Sequence, residues 1–204
     1  VTVGGGGAVG LYARSDKLSG TDTATVTTGD SGLVTVTGAN AIGIEVVNRG
    51  SGTGSVKVDT ATNGGTNGTA LVVSGDQAIG ILAATADPTL SSFHGSGDVT
   101  VTTGAGNITV TGGTTTSVPA VGIAALTDGG NISITTGTGA INVSGSGNNT
   151  VGIYANTGRE NLASDGSGTV TIETHGTITT SAGNGIEAYS HDGNLNIDTY
   201  AAID

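Results

Sequence analysis

Over much of the chain apolar and hydroxyl-bearing residues alternate one for one, as in Val99-Thr100-Val101-Thr102, Ile108-Thr109-Val110-Thr111 and Ile132-Ser133-Ile134-Thr135. A two-residue period is that of a strand with one face buried and the other wet. No stretch carries the 3.6-residue apolar stripe of an amphipathic helix, and abundant Gly and β-branched residues oppose helix formation. The pattern predicts an all-β chain of short strands.

Those strands recur in a fixed order. One segment appears six times: Ala8 to Ala13, Ala41 to Val46, Ala78 to Ala83, Ala120 to Ala125, Thr150 to Ala155 and Asn184 to Ala188. Its Gly stands at positions 10, 43, 80, 122, 152 and 185, a mean period of about 35 residues. Between copies lie a second alternating strand (Ala24 to Thr28, Val56 to Thr60, Val99 to Thr103, Ile132 to Thr136, Val170 to Thr174, Leu195 to Thr199) and a third (Val34 to Gly38, Leu71 to Gly75, Ile108 to Gly112, Ile141 to Gly145, Ile178 to Ala182). Three strands per period with no helical spacer do not suit a propeller, which needs four strands per blade, nor a leucine-rich repeat.

A three-sided parallel β-helix of about six coils, each of about 35 residues, fits. Each strand pairs with its equivalent one coil away, so like residues stack. Alternation places Val9, Ile42, Ile79, Val121 and Val151 inside, together with Ile44, Ile81, Ile123 and Ile153, and leaves the Gly column exposed. Val26, Val58, Val101, Ile134, Ile172 and Ile197 line a second side, and Val36, Val73, Val110 and Val143 the third. The bends from second to third strand, such as Gly104-Ala105-Gly106 and Gly137-Thr138-Gly139, are expected to supply positive-φ positions. Six coils at a spacing of about 4.8 Å make a rod about 30 Å long. Joining Ala202-Ile203-Asp204 to Val1-Thr2-Val3 reproduces the pattern of Ala140-Ile141-Asn142-Val143-Ser144. Residues 1–204 therefore read as one segment of a longer helix, or as a subunit stacking head to tail; neither end reads as a targeting segment.

Composition sharpens this picture. With 39 Gly, 35% apolar residues, one Phe and four Tyr, the core must be a thin aliphatic column rather than the aromatic-rich interior of a globular enzyme. The net charge is -11, and five Lys and Arg residues are too few for the basic stripe that nucleic acid requires. No run approaches the about 20 apolar residues of a membrane-spanning helix, so neither nucleic-acid binding nor membrane insertion of this segment is expected. Absence of Cys removes disulfide and thiolate chemistry.

Candidate binding residues gather where the repeat is broken. The loop from first to second strand varies from Ser190–Asp192 to Ala84–Gly97, and loops of variable length on a rigid scaffold are where function tends to sit. Arg14, Asp16, Lys17, Arg49, Asp87, Pro88, Phe93, His94, Arg159, Glu160, His191 and Asp192 all fall there, forming one rough edge along the rod. Tyr12 and Tyr154, two residues past the Gly of their repeats, are candidate platforms for a sugar ring. The expected loop-edge site is thus Arg14, Lys17, Arg49, His94 and Arg159 with Tyr12 and Tyr154; a solvated edge is the plain alternative. Outward Thr pairs such as Thr25/Thr27 and Thr100/Thr102 resemble an ice-binding array, but Lys57, Asp59, Glu173, Asp198, Val72 and Asn142 interrupt it.

Catalytic signals fail on spacing. Gly29-Asp30-Ser31-Gly32 matches a serine-protease signature, yet His94, His175 and His191 lie two or more coils away, at least about 10 Å. Three His without metal-ligand spacing form no zinc site, and Asp87, Asp165 and Asp192 lack the nonapeptide of calcium-binding β-rolls. No enzyme activity, cofactor or metal is expected.

The phrases Thr150-Val151-Gly152-Ile153-Tyr154-Ala155, Gly176 to Ser181 and Gly183 to Ala188, set between Gly-rich strand repeats, resemble the passenger regions of Gram-negative autotransporters. The resemblance covers nearly the whole chain and implies an extracellular or cell-surface β-helical stalk, an adhesin that presents loops, associates with itself end to end or side by side, or meets a host glycan or protein. It carries over no catalytic residue. The rival reading from the residues is a carbohydrate-binding or carbohydrate-cleaving module.

Overall fold

The computed structural model describes residues 1–16, 21–29, 32–50, 52–61, 68–86, 95–112, 119–145, 150–158 and 168–204. Within them the alternating segments form eighteen strands, numbered in chain order, in three six-stranded sheets. Sheet I holds the first strand of each repeat: β2 (Val9–Ser15), β5 (Ile42–Asn48), β8 (Ile79–Ala84), β11 (Ala120–Thr127), β14 (Thr150–Thr157) and β17 (Gly183–Ser190). Sheet II holds β3 (Ala24–Thr27), β6 (Val56–Asp59), β9 (Val99–Thr102), β12 (Ile132–Thr136), β15 (Val170–Thr174) and β18 (Leu195–Thr199). Sheet III holds β1 (Thr2–Gly4), β4 (Leu33–Thr37), β7 (Ala70–Gly75), β10 (Ile108–Gly112), β13 (Ile141–Ser144) and β16 (Ile178–Thr180).

Every strand pairs in parallel with the strand three along in the chain, which is a three-sided parallel β-helix. Register sets like on like: Ile132 pairs with Val99 and Val170, and Val110 with Val73 and Val143. The resulting columns meet along the axis. Val58, Val101, Ile134 and Ile172 from sheet II, Val36, Val73, Val110 and Val143 from sheet III, and Ile44, Ile81, Ile123 and Ile153 from sheet I are all buried. Each such side chain contributes about 1.5–3 kcal/mol by leaving water, so the columns stand in for a conventional core.

Sheet I departs from the simple alternation. Ala41 and Ala78 belong to the axial core, whereas Ile42, Ile79, Val121 and Val151 lie in a second apolar cluster with Val47, Leu82, Ala84, Ala124 and Leu126 on the opposite face of the sheet. The Gly column, expected outside, points inward. A Cβ at Gly43 would stand 2.5 Å from the carbonyl oxygen of Gly80 and 2.9 Å from Cγ2 of Val73 in sheet III. Consistent with this, the Cα pairing runs from Val9–Ile42 to Leu11–Ile44 and passes over the Gly pair, and it does so at every interface of the sheet. Two successive inward positions, Gly then Ile, make a stacked bulge, and a one-residue slip there exchanges the faces of everything preceding it.

The bends also differ from expectation. Positive φ occurs not at Gly104, Gly106, Gly137 or Gly139 but where sheet III turns into sheet I, as at Gly38 (137°) and Gly75 (138°), followed by Asn40 (56°) and Gln77 (58°), and after β11 and β14 of sheet I, at Gly129 (108°) and Gly158 (107°). The bends from sheet II to III need Gly for a different reason: a Cβ at Gly106 would come within 2.5 Å of the Thr69 carbonyl group on the adjoining coil.

At the last described coil the columns open to solvent. Ile197, Leu195 and Ile203 are 44%, 47% and 42% exposed, while Ile172, Val170 and Ile178 beneath them are 0% exposed. Ile203 bridges to Ile178 in parallel, the Asp204 amide donates to the Ile178 carbonyl, and the Thr180 amide donates to the Asp204 carbonyl. Ala202 to Asp204 thus begin a further rung of sheet III, as the sequence pattern predicts. Among the described residues no helix is long and apolar enough to cross a membrane.

Candidate functional site

The corner between sheets I and II collects the described members of the expected edge. Arg14 is the penultimate residue of β2 and Arg49 follows β5; the Arg49 amide donates to the Ser15 carbonyl (2.8 Å), which places the two cations on consecutive coils. Arg14 Nε donates to Asp16 Oδ1 at 2.5 Å, and this carboxylate, with a lesser contribution from the Tyr12 oxygen accepting from the guanidinium, raises the guanidinium pKa. Glu45 stands in register between Tyr12 and Leu82 on the outer face. Burial raises its carboxyl pKa, and the charges of Arg49 and Arg14 offset part of that rise. His191 and Asp192 occupy the same corner after β17. Lys17, His94 and Arg159, together with Asp87, Pro88, Phe93, Glu160 and the Asp30-Ser31 pair, lie outside the described residues.

Tyr12 and Tyr154 share one outward column, which runs Tyr12, Glu45, Leu82, Ala124, Tyr154, Glu187. Four rungs separate the two tyrosines, about 19 Å at the usual strand spacing. The structure therefore brings Tyr12, Arg14 and Arg49 together and puts Tyr154 in a different neighbourhood. There Tyr154 and Tyr189 lie on adjoining strands β14 and β17 with ring centroids 6.0 Å apart and planes inclined by 58°. The Tyr189 hydroxyl donates to Glu187 Oε1 (2.6 Å), Asn184 Nδ2 to Glu187 Oε2 (3.2 Å), and Asn156 Nδ2 to the Tyr154 hydroxyl (3.2 Å). Tyr189, Asn156 and Asn184 were not singled out by the repeat pattern. The signal that finds them is the register itself, which sets Asn156 beside Tyr189 and Tyr154 beside Glu187.

The sequence pattern also passes over a buried polar ladder at this corner, formed by Asn48, Thr85, Thr127 and Thr157 and continued by Ser190. Thr85 Oγ1 donates to Thr127 Oγ1 (2.8 Å), Thr127 Oγ1 donates to the Gly97 carbonyl (2.9 Å), and the Gly130 amide donates to Thr127 Oγ1 (3.1 Å). Thr157 and Ser190 hydroxyls both donate to the Gly168 carbonyl, at 3.0 and 2.8 Å. The position just before each Gly-rich bend therefore ties neighbouring coils together. Thr127→Val, which keeps the shape and removes the hydroxyl, is expected to cost about 1–3 kcal/mol in urea unfolding, because the Gly130 amide and Gly97 carbonyl lose a buried partner. Thr37→Val, on an exposed face, is expected to stay within about 0.5 kcal/mol of the parent.

The outward Thr faces are not continuous. Lys57 pairs with Asp59 at 3.7 Å, His175 Nε2 contacts Glu173 Oε1 at 2.9 Å, and the His175 ring stacks on Tyr200 with centroids 4.8 Å apart. Val72 adds an exposed apolar side chain on sheet III. Charge pairs and apolar breaks of this kind disrupt a regular hydroxyl lattice. Comparison of the chain with protein-family models, with curated protein sequences and with solved structures found no match.

Proposed function

We propose that this chain is a non-enzymatic structural rod, a stalk segment whose coils stack upon further coils of the same pattern and whose sheet I–II corner faces outward for adhesion. One observation carries the reading: aliphatic columns run buried and in register through the interior coils, like upon like, as at Val101, Ile134 and Ile172. Exposed strand edges present a row of backbone donors and acceptors, and a strand of the same pattern continues both that ladder and the aliphatic columns. The occupant that fits both is another coil of this repeat. The likeness of the repeats to autotransporter passengers supports a place outside a Gram-negative cell, and the net charge of -11 suits a solvated extracellular fibre.

Sedimentation velocity with negative-stain electron microscopy tests this. The parent chain is expected to form elongated particles whose length grows in steps with concentration. Ile197→Lys places a charge in the end surface and is expected to leave single rods with an unchanged β-type circular-dichroism spectrum. A single species of fixed length at every concentration would overturn the self-association, and a compact hydrodynamic shape would overturn the rod.

A further inference from the structure

We propose that the outer face of β14 and β17 binds a neutral sugar residue, with Tyr189 and Tyr154 as the apolar platform and Glu187, Asn156 and Asn184 as the groups that hold its hydroxyls. The chain has four Tyr, and two of them stand side by side here although the core is wholly aliphatic. The axial core uses neither ring. Tyr154 packs against the outer apolar cluster and Tyr189 is 40% exposed. Two rings inclined by 58° make a shallow angled surface, and the C–H face of a pyranose is the apolar counterpart that fits it while its hydroxyls remain outward.

The polar groups around the rings are already aimed. Both oxygens of Glu187 are held, one by the Tyr189 hydroxyl and one by Asn184, and each retains lone-pair capacity for an incoming hydroxyl. The Tyr154 hydroxyl accepts from Asn156, which leaves its own proton to donate, and the amide oxygens of Asn156 and Asn184 take no hydrogen bond from a described residue. A site with fixed donors and acceptors loses less conformational entropy on binding than a mobile one. The charge selects the class of sugar. A carboxylate at the centre of the patch, on a chain of net charge -11, repels sialic and uronic acids and accepts uncharged hexoses.

The test is a titration of the chain with methyl glycosides of neutral hexopyranoses and, separately, with a sialylated trisaccharide, followed by saturation-transfer NMR and calorimetry. A neutral glycoside is expected to bind with saturation concentrated on the C–H protons of one ring face, and the sialylated sugar is expected not to bind. Tyr189→Ala and Glu187→Ala are each expected to weaken binding by about tenfold or more. Tyr189→Phe, which retains the ring and removes the bond to Glu187, is expected to weaken it less, and it guards against misfolding of the Ala variant. Absence of binding by every neutral glycoside to the folded chain, binding untouched by Tyr189→Ala and Glu187→Ala, or equal binding of the sialylated sugar would each overturn the proposal. The readout does not depend on particle length, so it separates from failure of the rod.

Discussion

Gly80→Ala is expected to destabilise the protein by about 3 kcal/mol or more, a larger effect than most single-methyl additions produce. The added Cβ would lie 2.7 Å from Cγ2 of Ile108 and 3.2 Å from Cγ2 of Val110, and closer still to the Gly122 carbonyl oxygen. The first two atoms belong to buried core side chains, and the third is backbone in the next coil. Neither can yield cheaply. Sheet I approaches sheet III across this column, so the strain passes into the pairing of β8 with β11. Urea unfolding followed by circular dichroism measures the loss as a fall in midpoint. Gly6→Ala, where an added Cβ meets nothing within 4 Å, is the matched control and is expected to change stability by no more than about 0.5 kcal/mol. Equal effects at the two positions would mean that the Gly column does not face the core.

That column marks the limit of what the alternation reveals. Sheets II and III read directly, because nearly every second position carries Val, Ile or Leu, with Ala24 and Thr180 the departures: Val56, Val58, Val99, Val101, Ile132 and Ile134 are buried where the pattern puts them. Register was legible too, since Gly43 and Gly80 do lie on adjoining rungs. Sheet I was ambiguous in phase. In Ala41-Ile42-Gly43-Ile44-Glu45-Val46 the Gly has no side chain to declare a face, and both Ile42 and Ile44 are apolar, so strict alternation and a bulge read alike.

The site shows the same division. Tyr12, Arg14 and Arg49 were identifiable as departures from the repeat, and the fold gathers them at one end of sheet I. Tyr154 was identifiable, but its partners Tyr189 and Asn156 emerge only once the strands are set in register. Thr85, Thr127 and Thr157 stayed hidden for a chemical reason: a Thr that bonds across coils in the interior is written with the same letter as the many Thr that line the wet faces.

Ile134→Ala is expected to cost about 2–5 kcal/mol, and Ile197→Ala in the same column no more than about 1 kcal/mol in dilute solution. Ile134 is fully buried, pairs with Val101 on one side and Ile172 on the other, and leaves a cavity that two rigid neighbouring rungs cannot fill. Ile197 has a partner on one side, Ile172, and water reaches the other. In a stack where each coil touches only its neighbours, an interior deletion weakens two interfaces and a terminal one weakens a single interface. The comparison also reports on assembly. If a second copy covers the last coil, association adds to stability by mass action, and the cost of Ile197→Ala grows with protein concentration while that of Ile134→Ala does not. Denaturation midpoints of both variants measured across a hundredfold range of concentration are therefore expected to diverge. Parallel behaviour would show that the apolar end of the rod meets only solvent.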